Sequence, residues 1–235
     1  MSLDDAIENP EWEGVLNLDK PPGVTSRDVV NRVARLLPRR VKSGHAGTLD
    51  PLATGVLIVC IGSATRLIEY VQRMTKTYRS TFRLGARSDT LDVDGSVVET
   101  PDPRRPDRAE VEAALAAQVG EILQTPPEYS ALKVDGRRAY DLARAGEAVE
   151  LAPRPVRIDR ITVLSYEWPR VEVEIDCGGG TYIRSIARDL GEALGCGALM
   201  EALVRTRIGV FDQADAIGPY DLDRDRLPEL LRPTL

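Results

Sequence analysis

The chain has 235 residues, 43% hydrophobic and 29% charged, which is enough to bury one substantial core and near the upper size of a single domain. A net charge of −6 argues, as an average, against a polyanionic partner, and three cysteines without a C-x-x-C pair suggest neither a disulfide framework nor a thiolate metal site. No apolar run approaches the roughly 20 residues of a membrane span, and the acidic start MSLDDAIENPEWEG carries no export pattern, so a cytoplasmic, membrane-free setting is expected.

The average hides an uneven distribution. Residues 1–13, 88–128 and 211–235 are acidic, with net charges of −5, −7 and −3, whereas residues 14–87 hold thirteen bases against four acids. Binding responds to local potential over a Debye length of about 10 Å, so this basic third could meet phosphates even in an acidic protein; a solvated charged face reads equally well.

In chain order, Gly14–Asp19 predicts a short strand and Pro21-Pro22-Gly23 a turn. Ser26 is placed as an N-cap, followed by Val29, Val30, Val33, Leu36 and Leu37 at helical spacing, with Arg27, Arg32 and Arg35 on other faces and Pro38 as the stop. A polar loop from Arg39 to Thr54 leads into the buried-strand run Val56–Ile61, and Ser63 is expected to cap a helix reaching Gln72. Thr77–Leu84 predicts a strand, and Asp107 with Glu110 a capping box opening a helix through Gln118. Val171–Asp176 alternates as a strand, three glycines follow, and Tyr182–Leu194 has helical spacing until Gly195. At most a short helix is expected within Asp221–Leu231. Strands and helices intermix without a βαβ repeat, so the expected class is α+β, with a mixed, largely antiparallel central sheet and flanking helices.

The loop Ser43–Gly55 (SGHAGTLDPLATG) spends three glycines and a proline on holding polar side chains, more backbone restriction than a mere connector needs. Asp50, before Pro51, is biased to extended geometry at the edge of the core; from spacing alone it reads equally as a turn-capping aspartate. His45 is the single histidine, which excludes a multi-histidine metal site, and no serine elbow accompanies it.

GHAGTLDPLATG, with Lys20-Pro21-Pro22-Gly23 upstream, resembles the signature of the TruB-type tRNA pseudouridine synthases. The similarity continues through Lys76-Thr77-Tyr78-Arg79, Leu84-Gly85, Thr90-Leu91-Asp92-Val93-Asp94-Gly95, Tyr129-Ser130-Ala131-Leu132-Lys133, Gly180-Thr181-Tyr182-Ile183-Arg184-Ser185 and Gly195-Cys196-Gly197-Ala198. It spans roughly residues 14 to 210 in order. The resemblance implies an enzyme that flips uridine 55 out of the T-arm of tRNA, breaks its N1–C1′ bond and rejoins the uracil through C5, using no metal or organic cofactor.

By the same resemblance Asp50 is the catalytic aspartate, a residue type ionised at pH 7 and able to act as nucleophile or base. Tyr78 stacks on the flipped uracil, Arg184 pairs with the aspartate, Tyr182 and Leu203 line the uracil pocket, and His45 contacts RNA beside the flipped nucleotide. Arg39, Arg40 and Lys42 are placed to meet phosphates, and Arg137 and Arg138 fall in a thumb-like RNA-clamping segment near residues 124–152. Without the resemblance, Tyr78 reads as a core-edge tyrosine, Arg184 as surface, and Tyr182 and Leu203 as core.

The expected organisation is an acidic extension over 1–13, a catalytic domain over 14–210 and a short acidic tail over 211–235, with the family's usual C-terminal RNA-binding domain expected to be absent and the protein monomeric. Three rivals differ in their residues. A nucleoside hydrolase typically needs a second carboxylate, which the Asp50 loop lacks. A non-catalytic RNA-binding protein on the same scaffold would not need Asp50, Tyr78 and Arg184 intact. The sister enzymes acting on ribosomal RNA resemble H-R-L-D at the aspartate, where this chain has Gly47-Thr48-Leu49-Asp50.

Overall fold

The apolar stretch GVLNLDK forms strand β1 (Gly14–Lys20), paired antiparallel along its whole length with β3 (Thr54–Ile61). The computed structural model describes residues 12–130, 133–134, 137–138 and 151–232. These divide into two compact units, one built from the described residues of 1–76 and 204–235, the other from those of 77–203.

In the first unit β3 is buried on both faces, which is why its sequence is an unbroken apolar run rather than an alternation. Leu57, Val59 and Ile61 join Leu16 and Leu18 of β1 and Val29, Val30 and Val33 of helix α1 (Ser26–Ala34) in one core. Ile58 and Cys60 face a second core with Val15, Val71, Ile208 and Phe211. The N-cap of α1 is Thr25, one residue earlier than expected: Thr25 and Asp28 satisfy each other's backbone amides in a capping box, which frees Ser26 to turn inward. Strand β2 (Ser43–His45) pairs with β3, and β3 is followed by a 3-10 stretch, Gly62–Leu67, before the short helix α2 (Ile68–Arg73). Ser63 does not cap that helix; its hydroxyl donates to Glu13. Leu222 and Leu227 of the C-terminal stretch complete the first core, and the predicted helix there is confined to Leu227–Leu230.

The second unit is built on β4 (Lys76–Leu84), with the two-residue strands β5 (Ala86–Arg87) and β6 (Val98–Glu99) forming a separate ladder. Asp107 caps helix α3 (Arg108–Ala116) through a complete capping box, as its spacing predicts. The remaining elements are β7 (Gly120–Gln124), β8 (Lys133–Val134), β9 (Arg137–Arg138), β10 (Arg154–Glu167), β11 (Arg170–Cys177) and helix α4 (Ile183–Ala193). β12 (Ala198–Ile208) starts in this unit and ends in the first, where the turn after it leads to β13 (Phe211–Asp212). Within the second unit the strand order is β12-β4-β11-β10-β7; in the first, the end of β12 lies parallel to β3. The sheet is therefore mixed and largely antiparallel, as expected. No described helix is long and apolar enough to cross a membrane. The N-terminal extension, apart from its last residues, and most of the thumb-like segment lie outside the described residues.

Candidate active site

Asp50 is partly exposed, while the loop that carries it is tied down on both sides. The residue before it, Leu49, is buried, and its N–H donates to Ser26 Oγ (2.9 Å) while its carbonyl accepts from the same hydroxyl (3.2 Å). The residue after it, Pro51, presents its carbonyl to the Gly23 N–H (2.9 Å) and to Lys20 Nζ (3.1 Å). The Ala53 N–H returns to the carbonyl of Asp50 itself (3.1 Å), closing a tight turn. Further back, the guanidinium of Arg205 donates to the carbonyls of Gly47 (3.1 Å), Thr48 (3.4 Å) and Val56 (2.7 Å). Hydrogen bonds from residues as distant as 23, 31 and 157 positions thus hold a stretch of ten residues.

Lys20 is fully buried, and its ammonium also donates to the carbonyls of Pro21 (3.0 Å) and Val24 (2.7 Å). Burial pulls its pKa down to about 8; the nearby Asp50 carboxylate opposes that shift and the Arg205 charge adds to it. His45, on β2, is held below the ordinary imidazole value by burial first, then by the charges of Arg27 and Arg205. Its Nδ1 is buried without a hydrogen-bond partner. Arg39, Arg40 and Lys42 are exposed just ahead of β2, and Arg40 takes a left-handed backbone conformation (φ 81°) in the turn after Pro38.

The other expected site residues lie in the second unit. Arg184, in the first turn of α4, is 5% exposed and donates to the carbonyls of Thr90 (2.8 Å) and Tyr129 (3.0 Å). It lies 3.6 Å from the carboxylate of Asp92, which is also buried and accepts from the Thr90 hydroxyl (2.5 Å) and the Asp94 N–H (3.1 Å). Arg184 is thus a buried, multiply bonded arginine and not the solvated surface residue its isolated sequence context suggests. Tyr182 is the N-cap of α4; its main chain is held by both ends of the Gln124 amide, and Arg154 stacks over its ring at 5.0 Å. Tyr78 on β4 and Leu203 on β12 are each 7% exposed, on strands that pair with one another. For Arg137 and Arg138 the described structure is the backbone of β9, paired with β8.

Sequence reasoning missed Ser26, Asp92 and Arg205 as parts of these arrangements. In the sequence Ser26 reads as a cap, and Arg205 carries no local sign of burial. The signal for Asp92 lay in the run Thr90-Leu91-Asp92-Val93-Asp94-Gly95, where a threonine and a second acid flank the carboxylate that Arg184 meets.

The Asp50 loop thus holds one carboxylate and no second acid, on backbone tied to Ser26, Gly23, Lys20 and Arg205, in an α+β fold with a mixed sheet. Residues 35–183 match the TruB family pseudouridylate synthase (N terminal domain), and residues 184–233 match the tRNA pseudouridylate synthase B C-terminal domain. The protein named tRNA pseudouridine synthase B of Gluconacetobacter diazotrophicus is 48% identical over 227 residues, covering 94% of this chain and 74% of that protein. The protein of the same name from Cereibacter sphaeroides is 50% identical over 211 residues, covering 89% and 69%. The chain belongs to the TruB family of pseudouridylate synthases and is an enzyme.

Two solved structures extend the likeness. A chain of a Cbf5–Nop10–Gar1 complex matches with a TM-score of 0.72 and 29% identity over 99% of this chain. A chain of an H/ACA RNP bound to a substrate RNA containing 2′-deoxyuridine matches with a TM-score of 0.65 and 29% identity over 93% of it. This chain spans 62% and 59% of the lengths of those two chains.

Proposed function

We propose that this enzyme converts uridine 55 in the T-arm of tRNA to pseudouridine, with Asp50 as its catalytic carboxylate. The uridine is flipped from its stack, the N1–C1′ bond breaks, the uracil turns, and a C5–C1′ bond forms as the C5 proton leaves and N1 gains one. The reaction is an isomerisation and consumes no redox equivalent, metal or organic cofactor. The observation that carries the reading is the anchoring of the Asp50 loop: neighbours on both sides of the aspartate are bonded to Ser26, Gly23 and Lys20, so one carboxylate is held at a fixed position while staying partly open to solvent. The relatives named tRNA pseudouridine synthase B support tRNA as the substrate.

In this reading Tyr78 stacks on the flipped base, a contact typically worth about 1 to 3 kcal/mol. Arg184 is a second catalytic residue, Tyr182 and Leu203 line the uracil pocket, and His45, whose pKa burial lowers, contacts RNA. Exposed Arg39, Arg40 and Lys42 meet phosphates. The enzyme acts as a cytoplasmic monomer.

The test incubates the full chain and Asp50→Asn with unmodified tRNA, without added metal or cofactor, and maps pseudouridine by chemical labelling and reverse-transcription stops. One T-arm pseudouridine made by the wild type and not by Asp50→Asn is the expected result. A product elsewhere overturns the site, and an active Asp50→Asn overturns the role of the aspartate.

A further inference from the structure

We propose that Arg205 is a positioning residue for the reaction, its side chain closing the base of the Asp50 loop; the proposal rests on the reading of Asp50 as the catalytic carboxylate. Arg205 is 1% exposed, so it is placed neither to meet RNA nor to sit in solvent. Burying a guanidinium is costly, and the cost is offset here by main-chain carbonyl dipoles: Nε donates to Val56, Nη1 to Thr48 and Nη2 to Gly47. Val56 lies just after the loop, whereas Gly47 and Thr48 lie just before Asp50. One planar fork therefore ties the two stems of the loop to each other.

The backbone of the same residue makes the second contact. Arg205 pairs in parallel register with Gly55, and a Cβ at Gly55 would lie 2.3 Å from the Arg205 carbonyl oxygen. Gly55 has φ +96°, so only a glycine gives both the turn and the approach. The loop is thus seated against Arg205 by main chain at one stem and by side chain at both. Lysine cannot reproduce this, since its three donors radiate from one nitrogen and cannot reach carbonyls spread along two stems.

The experiment compares Arg205→Met and Arg205→Lys with wild type in the full chain, measuring the single-turnover rate of pseudouridine formation, tRNA affinity, and amide exchange at Leu49 and Ala53. Because displacements near 1 Å can cost about 100-fold in rate, both variants are expected to lose on that order in the chemical step, with tRNA affinity unchanged and exchange at Leu49 and Ala53 accelerated. A wild-type rate in Arg205→Lys overturns the proposal, as does a loss of tRNA affinity that parallels the loss of rate. Should Arg205→Met not fold, Arg205→Lys decides. Asp50→Asn separates the two readings: full activity there removes Asp50 from the chemistry, while amide exchange still reports whether Arg205 holds the loop.

Discussion

Ser26→Ala removes one hydroxyl and orphans two buried main-chain groups, the N–H and the carbonyl of Leu49. Leu49 and Ser26 are 4% and 2% exposed, so water does not readily replace the lost partner. An unsatisfied buried group costs about 1 to 3 kcal/mol, so the two together predict a loss of about 2 to 6 kcal/mol in unfolding free energy. Thr25→Ala, one residue away, is the control: it breaks an exposed capping box, with an expected cost of about 0.5 to 2 kcal/mol and no change in the chemical step. Urea denaturation measures both costs, and single-turnover pseudouridine formation with tRNA measures the effect on Asp50. Ser26→Ala is expected to slow the reaction more than Thr25→Ala does at equal fractions of folded protein. A Ser26→Ala variant within about 0.5 kcal/mol of wild type, the range of ordinary surface substitutions, would refute the reasoning that this hydroxyl anchors the loop.

Lys20 takes up a proton less readily in the folded chain, where its pKa is about 8, than in the unfolded chain, where it is near 10.5. Its contribution to stability is therefore at its minimum below pH 8, rises between pH 8 and 10.5, and is lost again as pH falls through 8. The unfolding free energy of wild type minus that of Lys20→Met should grow in favour of wild type by up to about 3 kcal/mol across that window, and a difference that stays flat contradicts the assignment. Cys60, Cys177 and Cys196 are fully buried, and burial raises the Cys60 thiol to about 11 and the Cys196 thiol above its ordinary value. Native protein should leave all three unlabelled by iodoacetamide at neutral pH and expose them only in denaturant; labelling of Cys60 without unfolding contradicts this placement.

The elements legible in the sequence were those whose period survives along the chain: β1, α1, β3, β4, α3, β11 and α4. β10 was not, because register shifts between Ile158 and Arg160 and between Val163 and Ser165 break its alternation, and five charges lie along it. β12 escaped as well: Glu201, Arg205 and Arg207 interrupt its apolar run, and its two ends belong to different units. The cap of α1 shifted by one residue because Thr25 and Ser26 are equally good caps, and the choice was made by Leu49, 23 positions away.

The sequence by itself determined the family, the fold class and the loop that carries Asp50, since a contiguous motif and a hydrophobic period are local properties. Only the tertiary structure decided what holds that loop. Lys20 and Arg205 look like surface cations in the sequence, yet both are fully buried, and Arg205 reaches Val56 across 149 positions. A buried charge is tolerated where carbonyls converge on it, and that convergence exists only once β1, β3 and the end of β12 lie side by side.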